Sequence, residues 1–264
     1  MDGDDAGRSM ITVKLMGGMG NQLFQYAFGL AQARRLGVDL QVDATHLGGK
    51  RPLALNQWQM KLNLVDRQIP TVLEQGMGYN QELVDRIKDG DVLQGYWQNE
   101  KYIEGIEEEL REMIFVPLDI SRNAELFNEI ANSESVAVHV RRGDYLVEPH
   151  KTFHGVLSLE YYRKAIRTIR DKTDDKCSFF VFSDDPSWVK MNFLSPVVKG
   201  ATEAEEIYLM SLCKHAIIAN SSFSWWGAWL GDDKPGRTVI APEKWFDQAS
   251  EDYSGIVPQR WMKI

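Results

Sequence analysis

Gripping a phosphate needs a cation at a fixed place, and Val136-Ala137-Val138-His139-Val140-Arg141-Arg142-Gly143-Asp144-Tyr145 offers one. A β-branched strand leads into two arginines, a glycine, an aspartate and a tyrosine. Side chains alternate faces along a strand, so a strand that persists points His139 and Arg141 one way and Arg142 the other. A guanidinium at a strand's open end, beside a turn glycine, suits a bidentate grip on phosphate or carboxylate. The alternative is an Arg–Asp ion pair that closes the loop. The whole string His-x-Arg-Arg-Gly-Asp-Tyr behind an apolar strand weighs towards a site.

Two more polar clusters follow apolar runs. The strand over 179–182 ends in Ser183-Asp184-Asp185, and the strand over 216–219 ends in Asn220-Ser221-Ser222. In a parallel sheet all carboxyl ends share one edge, where ligands bind. Three such ends predict a nucleotide-like ligand, with Arg141 as its pyrophosphate clamp. Ser221 and Ser222 precede a helix through Trp225, Trp226 and Trp229. Their hydroxyls and the free amides could hold an anion, or simply cap the helix. Asp184 and Asp185 could accept from the N–H donors of a nucleotide base, or form a solvated Asp-Asp-Pro turn. His139 is either a nucleotide contact or a core histidine bonded to backbone. The tryptophans read as core.

Gly18-x-Gly20-Asn21-Gln22 invites confusion with a dinucleotide fingerprint, but Leu23 stands where the third glycine belongs, and no Walker loop is present. Gly20 lets backbone approach a ligand; Asn21 is expected to cap the next helix and to point into the crevice. Asp89-Gly90-Asp91 has the letters of a DxD metal motif but reads as a solvated turn. No His/Cys/Asp cluster has metal spacing.

The elements that must position these residues alternate. Ile11 to Leu15 reads as a half-buried strand, followed by a glycine turn, a helix ending near Leu36 with Gly37 as its stop, and a strand over 38–42. The stretch 43–94 is less periodic. A charged helix is expected over 104–113, and 117–135 connects two halves. Later come a helix over 158–171, the 179–182 strand, a Thr202-x-x-Glu205 capping box, the 216–219 strand and a strand over 238–241. Strands alternating with helices imply a parallel sheet covered on both faces. The expected domains are 1–130 and 131–264.

The 264 residues, 44% hydrophobic, suffice for one or two domains, and a net charge of -8 argues against a general nucleic-acid binder. Cys177 and Cys213 make neither a disulfide framework nor a metal pattern, which suits a reducing cytosol. No apolar run approaches a membrane span, and residues 1–9 are polar and expected to fray.

HVRRGDY resembles the signature of the α-1,2-fucosyltransferases of glycosyltransferase family 11, and is related to the His-x-Arg motif of α-1,6- and protein O-fucosyltransferases. Lys14-Leu-Met-Gly-Gly-Met-Gly20-Asn21-Gln22 is similar to the family's GxGNQ segment, and Asn220-Ser221-Ser222-Phe223-Ser224-Trp225-Trp226 to its serine-rich loop. The resemblance implies a GT-B-type α/β fold, with two Rossmann-like domains and a cleft between them, 1–130 on the acceptor side and 131–264 binding GDP-fucose. It implies an inverting transfer from GDP-L-fucose to the 2-hydroxyl of a terminal β-galactoside, without metal or other cofactor. Lactose or the end of a bacterial O-antigen would serve as acceptor. The donor set it implies is His139, Arg141, Arg142, Asp184, Asp185, Ser221, Ser222, Phe223, Gly20 and Asn21. Arg141 and Asp144 are the catalytic candidates; the base stays open among Asp144, Glu148 and His154. Animal members carry a membrane anchor; here a cytoplasmic setting, with peripheral contact to the inner membrane allowed, is expected. The rival readings are another fucosyl linkage, α-1,6 for example, and a non-catalytic sugar-nucleotide or glycan-binding module.

Overall fold

The computed structural model describes residues 9–49, 51–66, 68–114, 120–193, 195–247, 253 and 255–264. Residues 1–8, expected to fray, and 117–119 of the expected connection lie outside them. The chain forms two units, Met1–Phe115 with Glu251–Ile256, and Val116–Ser250 with Val257–Ile264. The division precedes residue 130, because helix Ile120–Asn132 packs on the first strand of the second unit.

The first unit contains β1 (Met10–Lys14), α1 (Met19–Leu36), β2 (Asp39–Asp43), β3 (Leu64–Val65), β4 (Val72–Leu73), α2 (Gln81–Arg86), β5 (Val92–Gln94) and α3 (Glu107–Met113). Its parallel sheet has the order β3-β2-β1-β5-β4. β1 is central and its residues 11–14 are fully buried, not half-buried as its alternation suggests. Helices cover both faces of a parallel sheet, so polar positions must be paired. Lys14 does this, reaching the Asp43 carboxylate at 2.5 Å and the Gln68 carbonyl at 2.7 Å. Burial pushes the Asp43 carboxyl up, but hydrogen bonds from Lys14, Thr45 and Gln68 outweigh it and bring it down to about 2.

Helix α1 stops at Gly37, whose φ of 68° fits glycine. It starts earlier than expected. Gly18 is the cap, and the Gln22 amide closes the first turn on the Gly18 carbonyl at 3.0 Å. Asn21 therefore sits inside the first turn and not at the cap position. Asp89-Gly90-Asp91 is a turn, with Gly90 at φ 84°, yet Asp91 is buried and accepts from the Lys88 amide and the Thr71 hydroxyl. Both aspartates serve the fold, since Asp89 accepts from the Met10 amide.

The second unit contains α4 (Ile120–Asn132), β6 (Glu134–Val140), α5 (His150–His154), α6 (Leu159–Lys172), β7 (Cys177–Ser183), α7 (Pro186–Asn192), α8 (Glu203–Leu212), β8 (His215–Ile217), α9 (Ser222–Trp229), β9 (Val239–Ala241) and β10 (Met262–Lys263). Its parallel sheet runs β10-β9-β8-β6-β7. Val136, Val138, Val181, Ile217 and Ile240 pack under Tyr162, Ala165 and Ile169 of α6. Ser158 caps that helix by accepting from the Tyr161 amide. Thr202 caps α8 through the Glu205 amide, and the Glu205 carboxylate turns back to accept from the Ala201 amide. Trp225, Trp226 and Trp229 are fully buried, as read from the sequence. Both cysteines are free, and no helix among the described residues is long and apolar enough to cross a membrane.

From β6 the chain steps to β7 on one side and later to β8 on the other. The gap between β6 and β8 is thus a topological switch point, where an open α/β sheet leaves a crevice.

Candidate functional site

Sheet register assembles the site. Val140 pairs with Ser183, so Arg141 and Asp184 leave the sheet side by side. Strand β6 ends at Val140, which frees both arginines from the alternation of a strand. Arg141 donates through Nη2 to Asp144 Oδ1 at 2.7 Å, and its Nη1 lies 3.2 Å from Asp184 Oδ2. Its guanidinium lies over the Tyr145 ring. Arg142 donates its backbone amide to Asp184 Oδ1 at 2.9 Å and its Nε to Asp185 Oδ2 at 3.2 Å, and stacks on Trp188. Gly143 is required here, because a Cβ would stand 2.5 Å from the Asp184 carboxylate.

Both aspartates are therefore committed. Asp184 holds Arg141 and the Arg142 backbone; Asp185 holds Arg142 and caps α7 through the Trp188 amide. They do not form a loose solvated turn; each carboxylate oxygen carries one of these bonds.

His139 is buried and its ring lies 5.5 Å from that of Phe223, at the start of α9. Its Nδ1 has no hydrogen-bond partner. Burial, helped by the Arg141 and Lys199 charges, brings its pKa down to about 3, so the imidazole is neutral. Tyr145 ties the two sides of the switch point, since its hydroxyl donates to the Asn220 carbonyl at 3.1 Å. The Asn220 amide in turn donates to the carbonyls of His154 and Trp245. Ser221 and Ser222 open α9 beside this link, and the Ser221 side chain makes no capping bond.

Among the candidate bases, Asp144 is tied to Arg141 and Glu148 accepts from the Thr152 amide. His154 stacks on Tyr145 at 4.4 Å; burial, with the His150 charge, lowers its pKa to about 4. Two residues at this edge escape a reading of the sequence. Lys199 donates to the Ser183 carbonyl at 2.7 Å, and its Nζ lies 3.8 Å from Glu206 in the first turns of α8. Burial raises the Glu206 carboxyl, with Lys199 pulling the other way. The capping box signals that α8 begins here; only the fold shows which strand end it meets.

Gly20 and Asn21 belong to the first unit. The Gln98 amide donates to Asn21 Oδ1 at 2.7 Å. The glutamines of the same motif brace its glycine turn: Gln22 bonds the Gly17 and Pro52 carbonyls and the Ala54 amide, and Gln25 accepts from the Met16 amide. Among the described residues no group of three His, Cys, Asp or Glu side chains is placed to hold a metal ion.

The architecture matches solved glycosyltransferases of the GT-B type. NodZ alpha-1,6-fucosyltransferase soaked with GDP-fucose aligns with a TM-score of 0.51 at 16% identity, covering 85% of this chain and 93% of its own. A mutant of Arabidopsis thaliana FUT1 in complex with GDP aligns with a TM-score of 0.52 at 13% identity, over 93% of this chain and 73% of its own. The model of glycosyl transferase family 11 matches residues 89–264. The chain is 35% identical to an Escherichia coli alpha-1,2-colitosyltransferase over 97% of its length and 99% of that protein. It is 33% identical to the Escherichia coli O-antigen biosynthesis glycosyltransferase WbnK over 68% of its length and 62% of that protein. Galactoside alpha-(1,2)-fucosyltransferase 2 of Oryctolagus cuniculus is 24% identical, over 97% of this chain and 77% of its own. The chain belongs to glycosyltransferase family 11.

Proposed function

We propose that the chain transfers L-fucose from GDP-β-L-fucose to the 2-hydroxyl of a terminal β-galactoside, with inversion at the anomeric carbon. One observation carries the reading: Arg141 stands at the end of β6, braced by Asp144 and Asp184, beside the switch point where Ser221 opens α9. Breaking the bond to fucose leaves extra negative charge on the departing GDP. A guanidinium already fixed in place stabilises that charge without reorganising, typically by a few kcal/mol per donor. The start of α9 adds backbone amides and the positive end of its dipole. Arg141, Arg142 and Lys199 are the cations that would face the diphosphate, with part of their charge offset by Asp144, Asp184, Asp185 and Glu206; transfer without a metal is part of this reading. Neutral His139 packs Phe223 under this site without adding charge. Asp184, Asp185 and Glu206 are carboxylates at this edge, and Glu206, which stands 3.8 Å from Lys199, is the acceptor we assign to the guanine N1–H and N2–H donors.

The family supports this donor and linkage, and the O-antigen relative suggests a bacterial surface glycan as acceptor. A second reading has its own support. The alpha-1,2-colitosyltransferase relative spans nearly the whole chain, and colitose is L-fucose without its 3-hydroxyl. The test is transfer to lactose in EDTA from GDP-L-fucose and from GDP-L-colitose, with NMR of the product. An α-1,2-fucosylated galactose is expected, and a site that bonds the 3-hydroxyl should disfavour colitose by roughly a hundredfold or more. Preference for colitose selects the second reading. Tight GDP binding without transfer from either donor leaves a binding module, and an α-1,6 product replaces the linkage.

A further inference from the structure

The first unit has a switch point of its own, between β1 and β5. A strained turn stands there. Trp97 is fully buried yet has φ 56°, a left-handed conformation that bulky residues rarely adopt. Two contacts hold it. Glu74, which follows β4, accepts from the backbone amides of Tyr96 at 2.6 Å and Trp97 at 3.0 Å. The Trp97 ring stacks on Phe28 with centroids 4.1 Å apart. Gly95 permits the close approach, since a Cβ there would lie 2.3 Å from Glu74 Cβ. Strain that neighbours over-determine in this way is characteristic of functional sites.

The turn presents Tyr96, which is 47% exposed, and Gln98, whose amide donates to Asn21 across the switch point. A carboxamide offers both a donor and an acceptor, and a tyrosine ring offers an apolar face with a polar tip. That combination suits a neutral, hydroxyl-rich ring. None of these side chains brings the positive charge that a diphosphate needs, whereas the second unit has Arg141, Arg142 and Lys199 at one sheet edge. We infer that Gln98 binds the neutral acceptor sugar, and that Glu74 is a positioning residue that holds the 95–98 turn for it. The inference rests on the glycosyl-transfer reading, in which the first unit is the acceptor side, and adds which residues there take the neutral sugar. Burial raises the Glu74 carboxyl, with the two amide bonds opposing, as fits a group enclosed for support.

Lactose is the probe. Its binding to the GDP-loaded enzyme is followed by saturation-transfer NMR and calorimetry, with GDP affinity measured in parallel. Gln98→Ala is expected to weaken lactose about tenfold or more, with GDP affinity held within about twofold. Glu74→Ala is expected to raise the lactose KM with little change in kcat, and to add little to Gln98→Ala, because the two act through one contact. If Glu74→Ala fails to fold, Gln98→Ala decides alone. Equal lactose affinity in Gln98→Ala, a parallel loss of GDP affinity, or no lactose binding to the native chain overturns the inference. Lactose binding that depends on Gln98 without any fucose transfer supports it and counts against the donor reading alone.

Discussion

Arg141 is fastened at two points, to Asp144 at 2.7 Å and to Asp184 at 3.2 Å, so its plane is set before a ligand arrives. A planar fork in a fixed plane can meet two phosphate oxygens at once; an ammonium cannot. Arg141→Ala is expected to lower kcat/KM by roughly a hundredfold or more with the far-UV spectrum unchanged. Arg141→Lys should fail nearly as badly; more than half the native rate in either variant would remove Arg141 from the leaving-group role. Glu206 belongs to the same scale. Inosine diphosphate lacks the guanine 2-amino group, so the native chain should prefer GDP. Glu206→Gln should weaken GDP about tenfold and erase that preference, measured by calorimetry. Retained preference would return base recognition to Asp184 or Asp185, at the expense of their arginine contacts.

Loops after β6 and β8 come from strands that touch, yet their tips are 75 residues apart in sequence at the Tyr145–Asn220 bond. This bond joins the loop that carries Arg141 to the loop that carries Ser221. His154 stacked on Tyr145, and the Asn220 amide on the His154 carbonyl, close the unit from above. Tyr145→Phe keeps the ring and removes the bond. It is expected to cost about 1 kcal/mol of stability, read from the urea midpoint, with a severalfold loss of transfer. A change in stability without any change in rate would make the link structural only. Gly143 shows the same economy of space, since its lack of a side chain is what lets the two arginine-bearing and aspartate-bearing turns meet.

Acid should loosen the second unit. His139 and His154 have pKa values near 3 and 4 when folded, brought down first by burial, against an ordinary value of 6.5. Between those values the unfolded chain binds protons that the folded chain refuses, so stability falls as pH drops below about 6.5. Each histidine contributes a slope of at most about 1.4 kcal/mol per pH unit. Asp43, in the first unit, acts lower: its stabilisation is present above 3.8 and is lost towards 2. Urea unfolding at several pH values from 7 to 4.5 should show the fall, and His139→Gln should flatten it. A level profile in the native chain would mean that the histidines are solvated.

Much of this protein can be read along the chain. Alternating strands and helices give the α/β class, glycine stops α1 where expected, and three polar clusters follow three strands. Those signals are local, carried by residues a few positions apart. What each polar group is bonded to is another matter. Asp184 meets Arg142 across 42 positions, Asn21 meets Gln98 across 77, and Glu206 reaches Lys199 only once α8 is seated. Asn21 has the composition of a helix cap and Asp184 that of a free carboxylate, and neither role survives folding. The two-residue strands β3 and β4 carry too few positions for periodicity to show. The sequence by itself determined the class of fold, the family motif and the residues able to do chemistry. The tertiary structure decided which of them brace and which remain to bind, because strand order and register set every long-range partner.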